Sequence, residues 1–431
     1  MKKIVASVGL AALGATGLHS APIAGLTEEG GKNWSVSATL RGFYDDNFNT
    51  VSGPGKQDAF GIEISPSVTA GFRWPQTTLS LAYVFSFKYY DHKPLDSSTK
   101  YDQSHIFNAV LDHAFSERYT IRARESFVIG QEPDILRVGN AMETFQRISG
   151  DNIRNDAAID FDAQLTRLFG IEVGYENAFW DYAQHGEDFD PGTGAIIPSA
   201  SGTLDRIENS VHFDSRWMIC PQTVGIFGYR FRDVAYTGNE EIGVRNDLTS
   251  VRSDNRNFRE HSIYVGGEQT FSPNLSAAAR VGASYVDYYN DPTDSGSGWT
   301  PYAMANVRYN YQPQSFVEVG LSQDVNATDV ALAAGSDRFS QSEESTVVYG
   351  RVVHYITPQL FGSVLGQFQY SSITSESSFT EKDYQVGVNL TYQFTPHLST
   401  EVGYNYDKLE SNIGGRSFDR NRVYIGVTGS Y

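Results

Sequence analysis

The chain has 431 residues, a formal net charge of −18 and a mean hydropathy of −0.36. Its acidic balance disfavours nucleic acid as a partner, because binding to phosphates needs positive charge. The single cysteine, Cys220, excludes an intramolecular disulfide and a cysteine-based metal site.

The N-terminal residues have the pattern of an export signal. Lys2 and Lys3 are followed by an apolar stretch over residues 4–18. We predict a signal peptide over residues 1–21, with the cleavage position open between residues 20 and 25. A short periplasmic tail over 22–33 and a single outer-membrane barrel over 34–431 complete the predicted organisation. No later run approaches the ~18 apolar residues that a transmembrane helix needs.

Eight short turns recur along the chain, and each lies between two amphipathic runs. Six contain proline: Trp74-Pro75-Gln76, Cys220-Pro221-Gln222, Ser272-Pro273-Asn274, Gln312-Pro313-Gln314, Thr357-Pro358-Gln359 and Thr395-Pro396-His397. Two lack it: Ser116-Glu117-Arg118 and Leu168-Phe169-Gly170. Proline cannot donate a backbone hydrogen bond to a sheet ladder, so the six proline positions indicate chain reversals. Short turns alternating with long polar loops are typical of a transmembrane antiparallel up-and-down β-barrel, whose short turns are periplasmic and whose long loops are extracellular.

Eight periplasmic turns predict 18 strands, two for each turn and one at each end; 16 would follow if one hairpin were extended loop. The last run alternates well: Val423, Ile425 and Val427 share one face. The predicted strands near 105–115, 223–234 and 345–356 alternate poorly. The 26 Tyr, 26 Phe and 40 Gly also favour a membrane barrel over a soluble sheet, because the aromatic residues gather near the ends of the runs.

A barrel of this size encloses an aqueous channel, and many of its predicted inward positions are charged. The predicted pore-lining residues are Arg122, Arg124, Asp160, Asp162, Glu172, Glu176, Glu208, Asp214, Arg216, Arg230, Arg232, Glu268, Arg280 and Arg308. Two interpretations stay open. The charges form cross-strand ion pairs that keep the wall rigid, or they create a transverse field that selects solutes.

The stretch 131–151 differs from the other loops because it is rich in apolar residues. Met142, Phe145 and Ile148 recur at helical spacing. We expect this loop either to fold into the lumen or to cover the rim. If it enters the lumen, it is a constriction loop with four charged residues near the narrowest point: Glu132, Asp134, Arg137 and Arg147.

No motif indicates catalysis, and we expect neither enzyme activity nor a cofactor. A nucleophile motif of the G-x-S-x-G type is absent, and the nine histidines are scattered. Carboxylate pairs such as Asp160 and Asp162 line a wall by default. The acidic stretches 187–194 and 291–294 resemble calcium loops only vaguely, because they lack the distal bidentate glutamate. No metal site is predicted.

The export signal, the proline turns, the alternating runs and the terminal Tyr431 give the chain a resemblance to Gram-negative outer-membrane porins. More narrowly, the chain resembles the family described as "Putative beta-barrel porin 2". It does so in its single uninterrupted barrel, in its opening run WSVSATLRGFYDDNF from Trp34 to Phe48, and in two turns of the form F-S/T-P-x-L at 271–275 and 394–398. This resemblance implies an outer-membrane location and a pore, and no catalytic residues. Gly429 departs from the aromatic residue usual at that position.

We therefore expect a channel for passive diffusion of small hydrophilic solutes. The alternative is a structural or interaction barrel with a plugged lumen, acting as an adhesin or as a partner in envelope or polysaccharide assembly. The expected partners are outer-membrane lipid, lipopolysaccharide and the barrel-insertion machinery, which would recognise the closing strand ending at Tyr431. Oligomerisation stays open, because lipid-facing and protein-facing apolar strips look alike in sequence. The solute and the ion selectivity also stay open.

Overall fold

The computed structural model describes residues 33–92, 100–130, 150–186, 188–189, 196–245, 249–291, 297–331, 339–373 and 379–431. These residues form an antiparallel barrel of 18 strands. The strands β1 to β18 are Trp34–Asp45, Ala59–Arg73, Thr77–Tyr90, Tyr101–Ala114, Tyr119–Gly130, Asn152–Gln164, Phe169–Tyr182, Arg206–Cys220, Thr223–Tyr236, Phe258–Ser272, Leu275–Asp287, Gly298–Gln312, Ser315–Asn326, Glu343–Tyr355, Leu360–Ile373, Phe379–Thr395, Leu398–Ser411 and Phe418–Ser430. Each strand pairs with the next along the chain, and the predicted fold with 18 strands is confirmed.

The barrel closes through its first and last strands. The β1–β18 ladder runs from Ser37 opposite Ser430 to Asp45 opposite Arg422. Beyond the ladder, the amide of Tyr431 donates to the Val36 carbonyl at 2.8 Å. Because every strand then has two neighbours, no edge with unpaired backbone groups faces lipid.

The chain reverses at seven of the eight predicted turns, and the reversal predicted at Leu168-Phe169-Gly170 lies slightly earlier, between Gln164 and Phe169. Several of these turns begin with a hydroxyl side chain that accepts a hydrogen bond from a backbone amide just ahead. Thr357 Oγ1 accepts from the Leu360 amide at 2.9 Å, and Thr166 Oγ1 accepts from the Phe169 amide at 3.1 Å. Such local bonds fix a tight turn with or without proline.

The outward face is apolar, as the alternation predicts. On β18, Val423, Ile425 and Val427 are exposed on the outside. Large aromatic residues such as Trp74, Trp217 and Phe271 are exposed where strands meet the short turns. They form the interfacial belt expected at one membrane surface.

The three strands that alternate poorly carry apolar side chains on both faces. On β9, Ile226 and Val234 are buried on the inside while Phe227 is exposed on the outside. On β14, Val347 is buried inside and Val348 is exposed outside. Because the inward positions of these strands are also apolar, polar and apolar residues do not alternate along them, and the sequence predicts their facing poorly.

Aromatic rings lie flat on the inner wall, directly across the ladder from glycine. Tyr264 is opposite Gly228, and a Cβ added at Gly228 would lie 2.2 Å from the Tyr264 ring. Tyr349 and Gly320 repeat the arrangement at 2.2 Å. Glycine at these positions lets the ring cover the neighbouring backbone, which stabilises a sheet that glycine alone would weaken.

At the end opposite the short turns, several loops fold inward. A short helix, α1 (Ala200–Leu204), has all five residues buried, and its N-cap Ser199 accepts from the Gly202 amide at 2.8 Å. A small hairpin pairs Glu241–Val244 with Ser250–Arg252. In the described parts of the chain, no helix has the length and apolar character needed to span a bilayer.

Candidate functional site

The candidate site is the charged inner wall of the barrel. The strands place all 14 predicted pore-lining residues on the inward face, alternating with outward neighbours. Their placement follows from strand register. Their role in solute passage stays a prediction.

Arginines of β5 bridge to carboxylates on both neighbouring strands. The Nε atom of Arg122 donates to Asp112 on β4 at 2.8 Å, and Arg124 donates to Asp160 on β6 at 3.3 Å. Asp112 and Arg122 are only half-buried, whereas Arg124 and Asp160 are largely covered. The wall charges here are therefore mostly matched by a partner on the next strand.

The same pattern continues across β7, β8 and β10. Arg216 donates to Glu172 at 3.0 Å and, through two nitrogens, to Glu268 at 2.7 and 3.1 Å. Asp214 accepts from Arg280 at 2.7 Å and from the Tyr264 hydroxyl at 2.5 Å. Asp160, Glu172 and Asp214 are thus held by arginines of β5, β8 and β11.

His212, which no sequence motif identifies, belongs to the same group of side chains. Its Nε2 lies 3.4 Å from Glu172, and one ligand atom each of Asp160, Glu172 and His212 lies within 4.8 Å of the others. Such a trio could hold a metal ion. However, Arg124 already engages Asp160 and Arg216 engages Glu172. These contacts favour an ion-paired wall over a metal site at this point.

A second group of charges crosses the interior. Arg230 of β9 bonds Glu260 of β10 at 2.7 Å and Asp324 of β13 at 2.8 Å. Arg232 forms an ion pair with Glu260 at 2.6 Å and lies 3.8 Å from Glu208. We call these five residues the cross-lumen cluster. It narrows the lumen, because β9 and β13 are not neighbours in the barrel.

One loop that the sequence did not single out enters the lumen above this cluster. We call its described residues, 327–331 and 339–342, the inner loop; they are buried. Phe339 packs with Ile242 of the small hairpin, and Gln341 donates to Asp291 at 2.7 Å. Arg416, from the loop between β17 and β18, pairs with Asp329 at 2.8 Å.

Buried loop contacts also join α1 to the inner loop. Arg256 is fully buried and donates to the Thr203 carbonyl of α1 at 2.9 Å and to the Thr328 carbonyl. The Arg256 guanidinium therefore joins two loops through carbonyl partners, without a carboxylate.

The sequence does not predict that the inner loop is buried, because its described residues are mostly small. Among them, only Val330 and Phe339 are large apolar residues of the kind that indicate burial.

The loop predicted to constrict the lumen lies outside the described residues. This applies to Glu132, Asp134, Arg137 and Arg147, so their role stays a prediction. Most of the two calcium-like stretches also lies outside. Within them, Asp291 is described, and it contacts Arg245 at 3.4 Å.

One loop carboxylate at the barrel mouth has a shifted proton affinity. Burial by itself raises the pKa of Glu240. Hydrogen bonds from Ser199 and from the Gly186 amide, 3.1 Å away, outweigh burial and lower the pKa overall. Glu240 therefore stays ionised and anchors the start of α1 at neutral pH.

Comparison with known families supports the porin resemblance. Residues 245–431 match the sequence profile of the family described as "Putative beta-barrel porin 2", and this confirms the resemblance for that part of the chain. With the apolar outer face, the match identifies an outer-membrane barrel. A comparison with curated protein sequences gave no match.

Several solved porin structures are similar at low identity. OpdK of Pseudomonas aeruginosa, crystallised with vanillate, is 12% identical; the match covers 93% of this chain and 99% of that chain, with a TM-score of 0.43. A BenF-like porin from Pseudomonas fluorescens is 11% identical, with coverage of 93% and 99% and a TM-score of 0.43. OccAB4 of Acinetobacter baumannii is 13% identical, with coverage of 94% and 100% and a TM-score of 0.41.

Proposed function

We propose that this chain is an outer-membrane channel for passive diffusion of small hydrophilic solutes. The observation that carries the proposal is a closed barrel of 18 strands whose inner face carries many charged side chains. Barrels of 16 to 18 strands leave room for an aqueous path, unlike those of eight strands. No catalytic step, cofactor or energy source is part of the proposal.

Solvent-accessible charges inside the barrel support an aqueous path. The Asp112 side chain is 49% exposed and the Arg308 side chain is 41% exposed, and both face inward on the half of the barrel near the short turns. Glu176 is also exposed on the inner face of β7. Charged side chains that remain this accessible are hydrated, which places water on the inner face near the short turns.

The cross-lumen cluster and the inner loop are the proposed constriction. Paired arginines and carboxylates create a field across the lumen, which orients polar solutes as they pass. The loop at 131–151, with Glu132, Asp134, Arg137 and Arg147, remains a second proposed constriction. We also propose that a signal peptide is removed, and that lipopolysaccharide and the insertion machinery are partners, the latter through the strand ending at Tyr431.

Single-channel recording in a planar bilayer tests the proposal. Stable conductance steps that scale with salt are expected from the purified, refolded protein. The reversal potential under a salt gradient then shows whether the carboxylates or the arginines dominate selection. A correctly folded, heat-modifiable barrel without conductance would overturn the proposal and support the plugged interaction barrel.

A further inference from the structure

Three oxygen atoms without hydrogen-bond partners lie on adjacent strands in the half of the barrel that carries the long loops. They are Oε1 of Gln369 on β15, Oδ1 of Asp383 on β16 and Oδ1 of Asp407 on β17. The three residues are 3%, 2% and 0% exposed. A buried oxygen without a partner loses its hydration and gains nothing in return, so each one requires an explanation.

Strand register brings these residues together. Gln369 is directly opposite Asp383 on the β15–β16 ladder. Asp407 is opposite Gln385, which places it diagonal to Asp383 on the same face. Diagonal neighbours in an antiparallel sheet are about 7–8 Å apart at the backbone, so their side chains can share one ligand.

The partners of these side chains leave the three oxygens available. The amide nitrogen of Gln369 donates to Ser371 at 3.0 Å and to Glu343 at 3.3 Å, so its oxygen is on the other branch of the amide. Gln385 donates to the other oxygen of Asp383 at 2.7 Å. Arg422 donates to the other oxygen of Asp407 at 3.3 Å. Each of the three side chains is therefore oriented by one polar atom, and its other oxygen is left for a ligand.

The surrounding charge is unbalanced toward the negative side. Six buried carboxylates occupy this region of the wall and the adjoining loop: Asp45, Asp329, Glu343, Glu381, Asp383 and Asp407. Three arginines pair with them: Arg416, Arg420 and Arg422. In the described part of the chain, Glu343 and Asp383 have no ion pair. These two carboxylates leave an excess of negative charge to be neutralised by cations or protons.

We propose that Gln369, Asp383 and Asp407 form a calcium site in the barrel wall. A cation satisfies all three oxygens at once and offsets two of the excess charges. A proton shared by the two aspartates would satisfy their oxygens but would leave the Gln369 oxygen without a partner. Calcium accepts six to eight oxygen ligands in irregular geometry, whereas magnesium demands near-octahedral geometry. This inference goes beyond the proposed channel and does not depend on conductance.

The test is isothermal titration calorimetry, in which calcium chloride is added to the refolded full chain and the heat of binding is measured. The protein is free of lipopolysaccharide and has been treated with EDTA beforehand. We expect the wild type to bind one calcium ion saturably. Asp383→Asn combined with Asp407→Asn should weaken the affinity at least about tenfold, because even the outer shell of a metal site contributes that much. Glu410→Gln is the matched control: it removes one charge on the outer face of β17 and should bind calcium like the wild type.

A second variant tests the proposal independently, in case the double variant does not fold. Gln369→Leu keeps every carboxylate and should also weaken calcium affinity, with heat-modifiability on gels reporting the folded state. Absence of saturable calcium binding by the wild type would overturn the proposal. Unchanged affinity in a folded Asp383→Asn/Asp407→Asn or Gln369→Leu protein would also overturn it, because binding would then belong to the acidic loops.

Discussion

Arg230 and Asp324 lie on β9 and β13, yet Nη2 of Arg230 is 2.8 Å from both carboxylate oxygens of Asp324. Three strands separate β9 from β13 along the barrel wall. The ion pair therefore crosses the interior instead of following the sheet. It joins two parts of the wall that are not neighbours in the sheet through their side chains.

Replacing Asp324 with asparagine should weaken this connection. Arg230 would keep Glu260 as a partner, so we expect a loss of about 1–3 kcal/mol, less than for a fully orphaned buried charge. Urea unfolding of the refolded barrel measures the loss. In planar bilayers the same variant should conduct more, because the tie across the lumen is weaker.

Asp112→Asn is the matched control for this prediction. It breaks the half-exposed pair of Asp112 with Arg122, which should contribute less than about 1 kcal/mol. Equal losses in the two variants would contradict the claim that the cross-lumen contact is the stronger one.

Gly228→Ala should destabilise the wall. The added Cβ would lie 2.2 Å from Asp214 Oδ1 and 2.2 Å from the Tyr264 ring, and both neighbours are held by other contacts. Overpacking of this kind costs about 1–3 kcal/mol. Gly366→Ala on β15 is the control, because nothing lies within 4 Å of the added atom. A thermal melt in which both variants match the wild type would show that the tyrosine ring yields easily.

Strand number and strand facing could be predicted from sequence because both depend on local chemistry. Proline and hydroxyl residues define the reversals, and alternation requires only that one face meets lipid. Val423, Ile425 and Val427 illustrate this. The signal failed at Ile226 and Val347, where the interior is itself apolar.

The partners inside the barrel could not be predicted. Contact between Arg230 and Asp324 depends on strand tilt and barrel circumference, neither of which a single strand encodes. Entry of the inner loop depends on contacts with other loops, such as that of Phe339 with Ile242, and small residues such as Ala327 and Ala331 carry no periodic signal. The pairing of Tyr264 with Gly228 needs the register between two strands, which only the closed barrel fixes.

Arg416→Gln should loosen the inner loop. Arg416 bonds Asp329 at 2.8 Å and Glu381 at 2.7 Å, so it fastens this loop to β16. We expect larger current fluctuations and a higher mean single-channel conductance. Arg252→Gln is the control, because Arg252 is exposed and contacts Asn239 on the loop surface. Fluctuations that rise equally in both variants would point to a general effect of losing loop charge.

Acid should loosen α1 at the barrel mouth. The pKa of Glu240 is lowered in the folded protein, so its contribution to stability is present above its unfolded pKa and is lost as the pH falls through the lowered value. The carboxylate then no longer accepts from Ser199, the N-cap of α1. Loss of such support costs about 1 kcal/mol, so hydrogen-exchange protection of the Gly202 amide should fall about fivefold between pH 6 and pH 3.

Two variants control this prediction. Glu240→Gln should show weak protection of the Gly202 amide at both pH values, whereas Glu241→Gln on the next residue should behave like the wild type. Protection in the wild type that does not change with pH would mean that Ser199 caps α1 without help from Glu240.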